Sequence, residues 1–170
     1  MGDIVICWTA RLFVACYVGR LFVDAVSDRS ETSLRTARIL WTCGCVLALA
    51  HMAAAFHWKH HWSDSAAYEH VLVRTRETTG FESGLGVYVN YAFAFLWLTD
   101  TAIWWWDLRW PNRTVPYWCV QSVFAFLMFQ ATAVFGPAIW KPITIAAITL
   151  LIILRRSAVR NSSATVDNHD

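Results

Sequence analysis

The chain reads as an all-α, polytopic bundle of membrane-spanning helices, and three observations predict it. Apolar residues fill 57% of 170 positions, with 11 Trp and 10 Phe against 7 Gly, too hydrophobic a composition for one water-soluble domain of this size. Uncharged runs cover 39–56 (ILWTCGCVLALAHMAAAF), 83–99 and 114–140, which approach or exceed the roughly 20 residues that a hydrocarbon core demands of a spanning helix. Lys and Arg also alternate in density between successive connections, as orientation in a membrane requires.

The elements follow in order. The first span, about 4–23, carries Arg11 and Arg20 inside IVICWTA, LFVACYVG and LFV, which are too apolar to leave in water. It lacks the basic start and small-residue cleavage site of a removable signal peptide. The second span, 37–58, ends in a histidine-rich stretch. Ser63-Asp64-Ser65 is N-cap material and Gly80 a helix stop, so 64–79 reads as an amphipathic helix on the outer surface. The third span, 85–106, continues past Asp100. As one helix, 117–154 would be roughly 57 Å long at about 1.5 Å per residue, nearly twice a bilayer core. It therefore folds back at Gly136-Pro137 into 117–135 and 138–154. The short last arm leaves four spans and a re-entrant segment as the alternative. Residues 1–154 thus form a single transmembrane domain, followed by a polar, disordered tail over 155–170.

Arg20, Arg29, Arg35, Arg38, Arg109, Arg113, Arg155, Arg156 and Arg160 fall on one side of this arrangement, and Lys59, Arg74, Arg76 and Lys141 on the other. The first side is cytoplasmic by the positive-inside rule, which places the amino terminus outside and the tail inside. Trp104, Trp105, Trp106 and Trp110 then cluster at the inner interface, and Trp58, Trp62 and Trp140 at the outer one, as aromatic anchors.

Several functions are excluded by what is absent. There is no internal repeat, Gly-rich phosphate loop or G-x-S-x-G, and no basic face for nucleic acid, so the expected partners are the lipid bilayer and other membrane subunits. The five cysteines, Cys7, Cys16, Cys43, Cys45 and Cys119, lie in or at the edge of spans without C-x-x-C spacing, which argues for packing rather than a disulfide framework or zinc ribbon.

Five of the 6 histidines fall within HMAAAFHWKHHWSDSAAYEH, residues 51–70. On a continuing helix, His57 and His61 lie about 40° apart and Asp64 about 20° to the other side of His57, with Tyr68 returning to the same stripe. Two imidazoles and a carboxylate suit Zn, Cu or Fe, with His60 and His70 as further donors if the chain bends. The competing readings are a wet amphipathic helix end and a pH sensor. The H-x-x-H-H spacing of His57, His60 and His61 resembles one histidine box of membrane desaturases and hydroxylases, which need several boxes on the cytoplasmic side. More broadly, residues 40–106, with AHMAAAFHWKHHWS followed by GLGVYVNYAFAFLWLTD, resemble a group of small multi-pass bacterial membrane proteins whose function is not established, and this supports the topology without adding chemistry.

Polar residues inside the spans form a second pattern. Counted from the outer helix ends at about 1.5 Å per residue, His51 and Arg11 lie about 10 Å deep, Gln130 about 7 Å and Asn90 about 6 Å. The first reading of this layer is hydrogen bonding between helices, with Arg11 snorkelling outward. The second is an outward-open polar pocket for an anion or a polar head such as a quinone ring. Asp100, about 21 Å from the outer end and level with Gln121, needs a partner or a proton. Arg20 reads as an ordinary pair with Asp24 at the inner edge. A b-type haem wants two facing axial ligands, and the spans supply only His51 with Met128 as a partner, too little to imply haem.

The sequence therefore predicts a membrane protein that binds a metal ion at its outer rim. A non-catalytic structural or accessory subunit is the alternative, and a membrane oxidoreductase the third reading.

Overall fold

The computed structural model describes residues 1–27 and 30–166. Among them there are helices and no strands: α1 (Gly2–Val26), α2 (Glu31–Trp58), α3 (Asp64–Thr79), α4 (Gly86–Trp106), a 3₁₀ turn (Trp110–Asn112), α5 (Thr114–Phe129) running into a π-helical turn (Gln130–Val134), and α6 (Trp140–Val166). Arg29 and the end of the tail, 167–170, lie outside the described residues.

Each expected helix is present, and the differences have local causes. α2 begins before the apolar run because Ser30 caps it, its hydroxyl accepting from the Ser33 N–H at 3.4 Å. α3 has the expected bounds, with the Ser63 hydroxyl accepting from the Ala66 N–H at 3.3 Å and Gly80 closing it at φ 80°. At that left-handed position a Cβ would meet no neighbour, so Gly80→Ala isolates the backbone term. It is expected to lower thermal stability by about 1 kcal/mol without altering the helical circular dichroism of the folded protein. The fold-back falls at Gly136-Pro137 as predicted. Past Leu154, α6 continues through the polar tail as far as Val166, where disorder was expected.

Three helices are long and apolar enough to cross a membrane: α1, α2 and α5 with its π turn. The sequence reading had five such spans. The apolar run of α4 is interrupted by Asn90 and Asp100 and is rich in Trp and Tyr, while that of α6 is short and flanked by Lys141, Arg155 and Arg156.

The core is aromatic. Tyr17, Trp41, Trp97 and Phe124 come from α1, α2, α4 and α5 and meet with ring centroids 4.6 Å (Trp41 to Phe124), 5.0 Å (Trp97 to Phe124), 5.1 Å (Trp41 to Trp97) and 6.1 Å (Tyr17 to Phe124) apart. Alanines and one glycine on α2 face these rings, with Ala37, Gly44 and Ala48 all buried. Trp104 belongs to this interior rather than to an interfacial belt, while Trp105 and Trp106 are exposed. Successive helical side chains point about 100° apart, so a run of three tryptophans cannot keep all its members on the outside.

Candidate functional site

α2 does not run on beyond Trp58. The Lys59 and His60 N–H groups both donate to the Ala55 carbonyl, at 2.9 and 3.2 Å, and His61 and Trp62 then take left-handed conformations with φ 49° and 60°. The chain reverses, and α3 returns across the end of the bundle against α4. Neither residue is glycine, and such backbone is held only where the surroundings compel it.

This reversal breaks the predicted stripe. His57 packs beside Trp58 and Trp62, His61 lies in the turn, and the Asp64 carboxylate accepts a 2.7 Å hydrogen bond from the Tyr91 hydroxyl of α4. Among the described residues no three His, Cys, Asp or Glu side chains gather to hold a metal ion. The reversal instead brings His70 back to His60, their rings 5.3 Å apart and edge to face. Burial holds the His60 imidazole below its ordinary value of 6.5, with His70, His61 and Lys59 adding repulsion.

Beneath this pair is a cavity of about 520 Å³ between α2, α3, α4 and the π turn. Its walls are mostly apolar, with Phe13, Met52, Phe56, Phe93 and Met128 among them. Its polar groups include His51, His60, His70, Arg74, Asn90 and Gln130, so it joins the histidine-rich end of α2 to polar residues within the helices. His51 stands 3.0 Å from the Ile6 carbonyl through Nδ1. A carbonyl can only accept, so Nδ1 donates and Nε2 is left for other partners. Gln130 opens the π turn, a helix irregularity that recurs at functional sites. Arg74 closes the far side, donating from Nη2 to the Phe135 carbonyl at 3.2 Å.

The predicted layer is therefore gathered in part. His51, Asn90 and Gln130 share the cavity, whereas Arg11 lies outside it over the Trp8 ring at 5.2 Å. Depth along a helix is legible from residue counting, but the face a residue presents is not, and Arg11 is on the wrong face. Asp100 lies away from the cavity, buried and accepting from the Trp110 indole N–H at 2.8 Å.

A second opening adjoins the first. An apolar groove of about 460 Å³ runs between α4 and α5, and Val89, Phe93, Phe126 and Leu127 line both spaces.

The pair of Arg20 with Asp24 read from the sequence is present, but it is a buried site enclosed by aromatic rings rather than an ordinary pair at an edge. Arg20 is 2% exposed, its Nε 3.1 Å from Asp24 Oδ2 and its guanidinium carbon 4.8, 5.4 and 5.2 Å from the Trp41, Trp104 and Tyr117 ring centroids. The Tyr117 hydroxyl donates to the same Asp24 oxygen at 2.9 Å. The available signal was an Arg with an acid four residues on beside an aromatic-rich chain, which also describes many surface pairs. No known protein family, curated protein or solved structure matches the chain.

Proposed function

We propose that this is a five-span membrane protein, amino terminus outside and carboxyl terminus cytoplasmic, that binds a small amphiphilic molecule in the cavity beneath α3. α4 and α6 supply the fourth and fifth spans, with the basic connections on the cytoplasmic side. The observation that carries the binding reading is the juxtaposition of two spaces: a chamber with several polar groups adjoins an apolar groove between α4 and α5, the two sharing Val89, Phe93, Phe126 and Leu127 as walls. Ligand cavities are commonly about 300–1,000 Å³, mostly apolar with a few convergent polar groups, and this chamber has that size and composition. The groove suits a hydrocarbon chain, and the chamber a polar head. Two imidazoles fall short of the three protein ligands typical of a catalytic zinc site, so an organic ligand is better supported than a metal ion.

The test is titration of the full chain, held in amphipol so that no micelle competes, with dodecanol and dodecanoate by calorimetry. Saturable binding of at least one is expected. Ala55 lines the chamber, and Ala55→Trp should abolish binding by filling it while leaving the elution volume and tryptophan emission of a folded protein. Binding that survives Ala55→Trp, or no saturable binding to the unaltered chain, would sink this reading and return the protein to the structural or accessory class.

A further inference from the structure

The charge around the chamber assigns the kind of head it takes. Of the residues lining it, Arg74 alone is permanently charged, three are histidines, and none is Asp or Glu. His60 and His70 are adjacent at the rim. Arg74 is one helical turn beyond His70 on α3, so the two side chains are neighbours on one face. Two nearby carboxylates are engaged, Asp64 accepting from Tyr91 and Glu77 lying 3.9 Å from Arg74 as a loose ion pair, while Glu69 beside His70 is exposed. One Arg74 nitrogen is committed to the Phe135 carbonyl, which aims the guanidinium and leaves other N–H groups of its fork for a ligand.

Resting on the amphiphile reading above, we infer that the ligand is a single-chain anionic amphiphile, its carboxylate or phosphate held by His60, His70 and Arg74 and its hydrocarbon chain lying in the groove between α4 and α5. An anion supplies a negative partner for two imidazoles, and a closer one for a guanidinium whose pair with Glu77 is long and exposed. Charge-assisted hydrogen bonds of this kind are shorter and about twice as strong as neutral ones. The groove lies beside the chamber and shares Val89, Phe93, Phe126 and Leu127 with it, so in the proposed membrane arrangement it offers the chain a lateral way in.

Binding is then linked to protons. The charged or titratable groups around His60 are Lys59, paired with Asp3, and His61 on its own turn; Asp64, Glu69, His70 and Arg74 on α3, the last paired with Glu77; Tyr91 on α4, bonded to Asp64; and His51 on α2, while the π turn contributes only neutral Gln130. Burial is the main cause that holds the His60 imidazole down, and His70, His61 and Lys59 add repulsion, so an empty site resists protonation and an anion offsets the electrostatic part of that resistance. The sign for stability follows. With the folded imidazole held below 6.5, the unfolded chain takes up the proton first, so His60 withdraws stability from the free protein as pH falls through 6.5. A bound anion opposes that loss.

The experiment compares dodecanoate, dodecyl phosphate, dodecanol and dodecyltrimethylammonium on the full chain in amphipol. An anion is expected to bind about tenfold more tightly than dodecanol, the worth of one well-made charge-assisted hydrogen bond, with the ammonium weakest. Preference for dodecanoate indicates a free fatty acid, and preference for dodecyl phosphate a lipid phosphate. The pH series uses dodecanoate, because the second proton of a phosphate monoester itself titrates near about pH 6. Its advantage over dodecanol should grow as pH falls through the histidine range, and His60→Ala with His70→Ala should flatten that slope. Arg74→Gln should remove about tenfold of anion affinity and leave dodecanol binding unchanged, which reports an intact cavity in the same sample; Arg74→Lys should recover part of it. Equal affinity for dodecanol and both anions would overturn the anionic assignment while the cavity reading stood, and no binding of any of the four would overturn both.

Discussion

Arg20→Ala is expected to lower the unfolding free energy by about 3–5 kcal/mol, the usual result of removing one partner from a buried ion pair. Arg20 is 2% exposed and Asp24 17%, and Asp100 is buried nearby, so deleting the cation leaves carboxylates without their counter-charge in the interior. Neither Nε nor Nη1 makes a well-aligned hydrogen bond. The guanidinium is instead enclosed by three aromatic rings, an arrangement worth about 2 kcal/mol or more where water is excluded. Arg20→Lys keeps the charge but loses the flat, weakly hydrated group that stacks on rings, so it should fall between wild type and Ala. Arg20→Met combined with Asp24→Asn should recover much of the loss, because an apolar group of similar volume no longer has to satisfy buried charge. Unfolding in mixed sodium dodecyl sulfate and maltoside micelles, followed by tryptophan emission, gives the ordering. A change under about 0.5 kcal/mol for Arg20→Ala, the range of an ordinary surface substitution, would show that the pair is solvated.

Trp97→Ala should have the next largest effect, about 3 kcal/mol, the low end for truncating a core tryptophan. Trp97 is fully buried against Phe13, Trp41, Phe93 and Phe124, with centroids 6.2, 5.1, 5.3 and 5.0 Å away. In the proposed membrane arrangement the hydrophobic transfer term largely vanishes between helices, because the displaced medium is itself apolar. What remains is dispersion and ring geometry, lost outright when a cavity replaces the indole. Gly44 on α2 makes room for that indole: a Cβ there would lie 2.7 Å from Trp97 Cζ2 and 3.3 Å from Cys16 Cβ. Gly44→Ala should therefore cost about 1–3 kcal/mol by overpacking. In the Trp97→Ala background that cost should shrink, since the two residues compete for one volume. Strictly additive losses would mean that Gly44 matters for another reason.

The local features were legible because local chemistry decides them. Ser63 and Gly80 punctuate α3 through a hydroxyl cap and a left-handed residue, and Gly136-Pro137 turns the chain wherever it sits. Residue counting along apolar segments placed His51, Asn90 and Gln130 at one depth, and the three do share a cavity. The metal stripe failed at the point where counting assumed an unbroken helix. His61 and Trp62 are not residues that announce a left-handed turn, and only the packing of α3 across the bundle accounts for it.

From its sequence alone, then, the chain determined its helices and the polarity of each segment end, although of the five helices read as spans three are long and apolar enough to cross a membrane. Hydropathy, caps and breakers act over a few residues and need no partner. Only the tertiary structure decided which polar side chains meet. It brought His60 to His70, sent Arg11 to the outside, and enclosed Arg20 among Trp41, Trp104 and Tyr117. The physical reason is that the face a helix presents depends on its rotation against its neighbours. That rotation is set by the fit of the aromatic core to the small residues of α2, a property of several segments together and of none alone.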